Sequence, residues 1–233
     1  MATGIEEHRQ LGSSQTAVDL CISAANSLLK KLLWDRKEIK VVINVSSYTL
    51  FDVPSTAFYI QDKLDIGTVC IAFDINMACS GFVVGIETLG SVLQHCEIGS
   101  KALLLLGSGP SKTSSNMDKS GLPLFGDGGG VAAFELKEGY KTIFSQYSDG
   151  KKLNNLYKIN KNDSLHMNGM GVFNFTISNV ADSINYFFDY YNIERDNVDY
   201  FFLHQAQKFI IDKLIDFCNL DEDKCPVSYK YYG

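Results

Sequence analysis

The order of the apolar segments along the chain constrains its fold more than any other feature. Short runs rich in β-branched and aliphatic residues alternate with stretches whose apolar residues recur at i, i+3 and i+4, the spacing of an amphipathic helix. This pattern predicts helices over residues 16–31, 56–64 and 79–94 and strands over residues 39–45, 69–75 and 101–106. Because the strands are apolar throughout, they are typical of a parallel sheet covered by helices on both faces. We therefore expect an α/β fold.

The second half of the chain repeats this order. The spacing predicts a helix from Val172 to Phe188, a buried strand over residues 199–203 and a further helix over residues 206–217. No low-complexity segment, short-period repeat or proline-rich linker marks a flexible joint. We expect two similar halves that are fused.

Composition limits the size of the core and the kinds of partner. The 233 residues, 45% of them hydrophobic, provide enough apolar material for one large domain or two fused halves. The formal net charge is −6, and Lys and Arg never form a run longer than two. Neither a nucleic-acid partner nor a polybasic membrane patch is therefore predicted.

Cysteine usage and the amino-terminal residues indicate a cytoplasmic protein. The six cysteines have irregular spacings and no C-x-x-C pair, which argues against a zinc ribbon, a redox motif or a disulfide framework. The chain begins without the apolar segment of a signal peptide, and its longest aliphatic stretch, residues 102–106, is far too short to span a bilayer.

Cys79 follows a predicted buried strand and opens the next predicted helix. At a helix N-terminus, unpaired backbone N–H groups stabilise the thiolate and lower the pKa from its ordinary value of about 8.5. The small neighbours Ala78, Ser80 and Gly81 would let a substrate approach. A cysteine in this setting could also simply pack a tight contact between helix and sheet.

Two further segments add context. Residues 124–132 form a glycine-dense turn between apolar stretches, and His204 ends the predicted strand of the second half. A cysteine and a histidine at equivalent strand ends of two matching halves can converge on one site. His204 could equally be a core histidine that closes a strand. The glycines at 126–130 are interpreted as structural, since they allow positive φ and close packing.

Together these motifs resemble the β-ketoacyl-acyl-carrier-protein synthase III branch of the thiolase superfamily. The resemblance is carried by Ala-Cys-Ser-Gly-Phe at 78–82, Phe-Gly-Asp-Gly-Gly-Gly at 125–130 and His-Gln-Ala at 204–206, with a further match at 3–9. It implies a thiolase-like fold of two fused βαβαβ-type halves, with helices covering and separating mainly parallel sheets. Residues 1–138 would form the half with the cysteine, and residues 139–233 the half with the histidine.

The resemblance also implies an activity. Cys79 would attack the thioester of a short acyl-CoA, with its backbone N–H as one oxyanion donor, and the acyl group would then condense decarboxylatively with malonyl-acyl-carrier protein. His204 would donate a hydrogen bond to the malonyl thioester carbonyl. No cofactor is implied, and the partners would be acyl-CoA, acyl-carrier protein and a second copy of the chain in a homodimer.

Further site residues follow from the family alone. The resemblance implies contacts with CoA, docking of the carrier protein, and one position at the acyl pocket and dimer contact; these residues are Lys119, Phe125, Met167 and Gly169 for CoA, Gln205, Ala206, Gln207, Lys208 and Phe209 for the carrier, and Val53 for the pocket. Lys119 stands where the family has an arginine that stacks on adenine, and a lysine has no planar face. Phe209 and Asn174 stand where basic residues would meet the acidic carrier, while Val53 replaces a bulkier aromatic residue.

The resemblance leads us to expect a fragment. The first strand of the first half and the last strands of the second would be missing, and the chain would stop one residue before a catalytic asparagine. Three alternatives stay open at this point: a relative that acylates surface polysaccharides or secondary metabolites, a cysteine hydrolase, and a non-catalytic remnant that dimerises or binds a partner.

Overall fold

The chain divides into two compact units. The computed structural model describes residues 3–112, 124–159, 163 and 165–232. One unit, here called the sheet unit, comprises Gln10–Pro110 and Asp127–Phe144. The other, the helical unit, comprises Met1–Arg9, Ser111–Gly126 and Ser145–Gly233. The division of the chain into halves after residue 138 stays a prediction.

A four-stranded sheet forms the centre of the sheet unit. Its strands are β1 (Ile39–Val45), β2 (Ile71–Ile75), β3 (Lys101–Ser108) and β4 (Gly128–Glu135), in the order β2-β1-β3-β4. β1 pairs in parallel with β2 and β3, whereas β4 runs antiparallel to β3. The predicted α/β class with a mainly parallel sheet is confirmed.

Helices cover both faces of this sheet, as predicted. They are α1 (Ala17–Leu32), α2 (Thr56–Lys63) and α3 (Gly81–Leu93). α1 and α2 pack on the face that carries Val42, Leu103 and Leu105, all fully buried. α3 packs on the opposite face, which carries Ile43 and Leu104. The central strands are apolar at nearly every position because each face of the sheet has a helix against it.

Two predictions in this unit need correction. The strand expected to be buried over residues 69–75 begins at Ile71, which is 52% exposed because β2 is an edge strand with only β1 beside it. The glycine-dense turn is also shorter than expected, since Gly128–Gly130 belong to β4. A Cβ at Gly129 would lie 2.6 Å from Leu20 Cβ, so glycine there lets α1 approach β4 closely.

The helical unit is built around two packed helices. α4 (Gly169–Phe175), a π-helical turn (Thr176–Val180) and α5 (Ala181–Tyr191) follow one another and include the predicted helix. α6 (Lys208–Cys218) packs against α5 through Phe188, Ile210 and Leu214. A two-stranded ladder of β5 (Leu156–Tyr157) with β6 (His166–Met167) and the short α7 (Tyr229–Tyr232) complete the unit.

The strand predicted over residues 199–203 does not form. Phe201 is buried and its N–H donates to Lys224 O at 2.9 Å, but the adjoining residues make no ladder. The chain that continues from Lys224 reaches Pro226, which has no N–H to extend the pairing. Residues 199–203 therefore do not form a strand with any part of the chain that the structure describes.

Candidate active site

Cys79 lies in a tight turn between β2 and α3. A 3₁₀ turn spans Ala78–Ser80, and α3 begins at Gly81. Ala78 has φ of 43°, a left-handed conformation that is uncommon for a residue with a side chain and that marks local strain. The Ser80 hydroxyl donates to Met77 O at 2.8 Å and closes the turn. This turn leaves Cys79 exposed at the carboxyl end of a sheet strand.

The glycine after this turn has a packing role. A Cβ on Gly81 would collide with Val45 Cγ1, and one on Gly85 would lie 2.7 Å from Leu104 Cδ1. Small residues on this side of α3 thus allow the helix to lie close against β1 and β3. The packing interpretation of the motif is correct for its glycine, while Cys79 itself is exposed.

The environment of Cys79 does not lower the pKa of its thiol. Protein around the sulfur reduces its hydration and raises the pKa, and its own backbone N–H offsets this in part. The expected lowering is therefore wrong. Cys79 sits in the 3₁₀ turn ahead of α3, so it lacks the several converging N–H groups of a true first helical turn. The raised pKa favours the protonated thiol.

Exposure nevertheless separates Cys79 from the other cysteines. All six lie in the described residues, and Cys79 is the only one that is exposed. Burial raises the pKa of Cys21 and of Cys70 to about 11. Cys79 is consequently the thiol that a bulky electrophile can reach.

His204 directly follows residues 199–203 in the helical unit. Partial burial lowers the pKa of His204, so the imidazole is neutral at pH 7 and one ring nitrogen carries a proton to donate. The next residue fixes the chain in place, because Gln205 Oε1 accepts from Ser228 N at 2.7 Å and Gln205 Nε2 donates to Leu203 O at 2.9 Å.

The proposed carrier-docking residues continue into α6. Ala206 N donates to His204 O at 2.9 Å, and Gln207 is the N-cap of α6 without a side-chain cap bond. Lys208 Nζ donates to both carboxylate oxygens of Asp212, at 2.8 and 2.9 Å. Phe209 stacks on Phe173 with a centroid distance of 5.2 Å. The lysine charge is thus paired within its own helix.

The remaining predicted positions lie at loops and element ends. Phe125 is half-buried just before β4, Met167 pairs with Leu156 in the small ladder, and Gly169 is the exposed first residue of α4. Val53 is 88% exposed in the loop between β1 and α2. Lys119 lies outside the described residues. Cys79 and Val53 belong to the sheet unit, and the other described positions to the helical unit.

The sequence analysis did not identify a pair of polar residues on β1 and β2, the strand that leads to Cys79. Asp74 and Asn44 lie opposite each other on β2 and β1, and Asp74 also receives hydrogen bonds from the start of α2. The available signal was a carboxylate inside an apolar strand run, five residues before the cysteine. Among the described residues, no helix is long and apolar enough to cross a membrane, and no three potential metal ligands cluster.

Comparison with known proteins gives consistent matches. The family model for 3-oxoacyl-[acyl-carrier-protein (ACP)] synthase III matches residues 73–150. Two curated relatives are β-ketoacyl-[acyl-carrier-protein] synthases III from Streptococcus agalactiae, 30% identical, and Streptococcus mutans, 32% identical; the match covers 99% of this chain and 74% of each relative.

Solved structures agree. A 3-oxoacyl-(acyl-carrier protein) synthase from Burkholderia xenovorans has a TM-score of 0.89 and 29% identity, over 100% of this chain and 71% of that one. OleA from Xanthomonas campestris, at 18% identity, has a TM-score of 0.88 over 99% of this chain and 72% of its own, which supports the fold alone.

Proposed function

Because this chain belongs to the β-ketoacyl-acyl-carrier-protein synthase III family, we propose that it forms an acyl thioester on Cys79 and condenses that acyl group with malonyl-acyl-carrier protein. The observation that supports this most is the position of Cys79. It is the exposed thiol of the chain, held in a strained turn at the carboxyl end of a parallel strand, and it lies inside the segment that matches the family model.

Acylation depends on the exposed thiol of Cys79 and on the backbone N–H of the same residue. The Cys79 sulfur attacks the thioester carbonyl of a short acyl-CoA, and the tetrahedral oxyanion accepts a hydrogen bond from the Cys79 N–H. Collapse of this intermediate breaks the bond to the CoA sulfur. The CoA thiolate leaves with the proton that Cys79 gives up, so charge and atoms balance.

Condensation needs a hydrogen-bond donor rather than a base. His204 is neutral at pH 7 because of its lowered pKa, and it can donate to the malonyl thioester carbonyl while carbon dioxide leaves. The resulting enolate carbon attacks the acyl carbonyl on Cys79, and the Cys79 sulfur departs. Neither step requires a metal or an organic cofactor.

The substrate contacts complete this proposal. Phe125, Met167, Gly169 and Lys119 would contact CoA, and residues 205–209 would meet the carrier protein. Since Lys208 is paired with Asp212 and Phe209 is stacked on Phe173, carrier binding at α6 would depend on the helix end and Gln207 more than on free basic charge. Val53 would line the acyl pocket.

We also propose a homodimer in the cytoplasm. The exposed edge of the sheet supports a second copy as partner, since Ile71 on β2 is 52% exposed and Phe82 and Val83 on α3 are 44% and 51% exposed. An open strand edge with an exposed apolar side chain favours pairing with another chain, and exposed apolar residues elsewhere on the unit add surface for such a contact. Ile71→Lys should shift the mass measured by light scattering from dimer to monomer, whereas Val69→Lys, ahead of the strand, should shift it less.

One experiment tests the division of roles. With acetyl-CoA and malonyl-acyl-carrier protein, Cys79→Ser should abolish both acylation and condensation. His204→Ala should leave acylation of Cys79 within about threefold of wild type and reduce condensation by about 10²-fold or more, the usual cost of one oxyanion donor. His166→Ala, in the small ladder, serves as control. Equal loss of both steps in His204→Ala would overturn the assignment of His204 as the condensation donor.

A further inference from the structure

Asp74 connects the strand that leads to Cys79 with the loop that carries Val53. It lies on β2 directly opposite Asn44 on β1, five residues before Cys79. Asp74 Oδ1 accepts from Asn44 Nδ2 at 3.0 Å. Asn44 is fully buried and Asp74 is half-buried, so the donor of this hydrogen bond is shielded from water.

The same carboxylate caps α2. Asp74 Oδ2 accepts from Thr56 N at 2.7 Å, and Oδ1 accepts from Ala57 N at 2.9 Å. These N–H groups are usually satisfied by the N-cap residue, but Ser55 makes no side-chain cap bond. Asp74 on β2, rather than the N-cap residue, therefore fixes the start of α2. It thereby also fixes the end of the loop over residues 46–55.

A second pair of contacts ties the beginning of this loop to the same strand end. Ser46 N donates to Ile75 O at 3.2 Å, and Ser47 Oγ donates to Asn76 Oδ1 at 2.9 Å. Asn76 is three residues before Cys79. Both ends of the Val53 loop are thus attached to β2 and to the residues that run into the cysteine turn.

The chemistry at Asp74 calls for a carboxylate. Three N–H donors converge on its two oxygens, from Asn44, Thr56 and Ala57. An asparagine of the same shape would turn an NH₂ group toward at least one of these donors. Because Asn44 and Thr56 are fully buried, the unpaired donor could not turn to water.

We infer that Asp74 is a positioning residue, supported by Asn76, that fixes the Val53 loop against β2 and so determines which acyl groups are accepted at the pocket that Val53 lines. The inference rests on the proposed function, in which Cys79 is acylated, the chain forms a homodimer, and Val53 lies at the acyl pocket and the dimer contact. Acyl preference would then depend on where Asp74 holds the loop, and not only on which side chain stands at position 53.

The test measures acyl-Cys79 formation in Asp74→Asn with a two-carbon and a branched five-carbon acyl-CoA, alongside the rate of Cys79 alkylation by iodoacetamide. We expect acylation to fall about tenfold or more and the preference between the two acyl groups to change at least about threefold, since sub-ångström misplacement is costly in a positioned site. Alkylation, which needs no pocket, should stay within about twofold of wild type. Asp62→Asn, an exposed carboxylate on α2, is the matched control and should change neither quantity.

Ser47→Ala provides the second variant, because Ser47 is exposed and its loss removes only the link to Asn76. It should fold as wild type and move the acyl preference in the same direction as Asp74→Asn, by a smaller factor. If both variants keep the wild-type preference between the two acyl groups, the inference is overturned. If Asp74→Asn does not fold, an unchanged preference in Ser47→Ala overturns it. If wild-type Cys79 takes no acyl group, the proposed function itself fails, and that result is distinct from normal acylation with unchanged preference.

Discussion

In the sheet unit, α1 ends at a left-handed residue, Leu33, and a 3₁₀ turn that contains Arg36 follows. In the helical unit, α5 ends at the left-handed Asn192, and a 3₁₀ turn that contains Arg195 follows. The two arginines make matching contacts. Arg36 Nη2 donates to Asn26 Oδ1 and Arg195 Nη2 to Asn185 Oδ1, each at 2.8 Å and each ten residues back along the chain.

Each arginine also reaches the end of the helix that follows it. Arg36 Nη1 donates to Leu64 O at 2.5 Å, just after α2, and Arg195 Nε donates to Cys218 O at 2.8 Å, the last residue of α6. In both units, therefore, one side chain connects the helix before it to the helix after it. The sequence uses the same local device twice.

The segments between those helices differ, since the sheet unit has the strand β1 there and the helical unit has residues 199–203, which form no strand. β1 lies between β2 and β3 and pairs with both, so its residues are almost all buried. Residues 199–203 share one backbone hydrogen bond with Lys224, and the neighbouring chain contains Pro226. Local signals thus specify the helices and turns of both units, whereas a strand also needs neighbours that are distant in sequence.

The largest difference is expected at Ile43 and Phe202, each seven residues after its arginine. Ile43 is fully buried, whereas Phe202 is 81% exposed. Ile43→Ala should lower the free energy of unfolding by about 2–5 kcal/mol, the cost of lost burial and a cavity. Phe202→Ala should change it by less than about 0.5 kcal/mol. Urea denaturation checks both, and similar losses would show that residues 199–203 are packed like β1.

The two arginines should behave alike. Arg36→Met and Arg195→Met should each lower the free energy of unfolding by about 2–3 kcal/mol, because each removes two part-buried hydrogen bonds from a charged group. Arg195 also lies 4.5 Å from the Phe188 ring centroid, so its loss should be the larger. Arg9→Met, at an exposed position, is the control. An effect in only one unit would mean that the repeated contacts do not share a role.

A smaller difference concerns alkaline pH. Cys21 lies fifteen residues before Arg36. The corresponding position fifteen residues before Arg195 is Val180, which does not titrate. Burial raises the pKa of the Cys21 thiol to about 11. The neutral thiol thus contributes stability that is complete below the ordinary pKa and is lost as pH rises toward 11.

Cys21→Ser should reduce the loss of stability between about pH 8 and about pH 10.5 by about 1–2 kcal/mol. Paired denaturant titrations at the two pH values isolate this slope from the constant cost of the substitution. Cys96→Ser is the control, since Cys96 is half-buried near the end of α3. Identical slopes in wild type and Cys21→Ser would contradict the buried-thiol account.

Sequence patterns were sufficient wherever the structure depends on periodicity. The three helices and the central strands of the sheet unit lie where apolar spacing predicts them. Sequence patterns were insufficient where the conformation of a segment depends on which other segment lies beside it. Edge exposure of β2, incorporation of Gly128–Gly130 into β4 and the absent strand at 199–203 all depend on which segment lies alongside.

The candidate site shows the same limits. Cys79 was recognisable only together with the glycine-dense turn at 125–130 and the His-Gln-Ala motif at 204–206, because a cysteine beside small residues could equally pack a contact between helix and sheet. Its raised pKa was not predictable, since the 3₁₀ turn and the positive φ of Ala78 separate it from the helix N-terminus. Asp74 was missed because its donors come from Asn44, Thr56 and Ala57, which become neighbours only in the folded sheet unit.

The central claim is that Cys79 carries the acyl group. Intact-mass measurement after mixing the protein with acetyl-CoA should show one added acetyl group that maps to the peptide containing Cys79. Cys79→Ala should show none, and Cys96→Ala should match wild type. An adduct on another cysteine, or no adduct on a folded wild-type protein, would contradict the account.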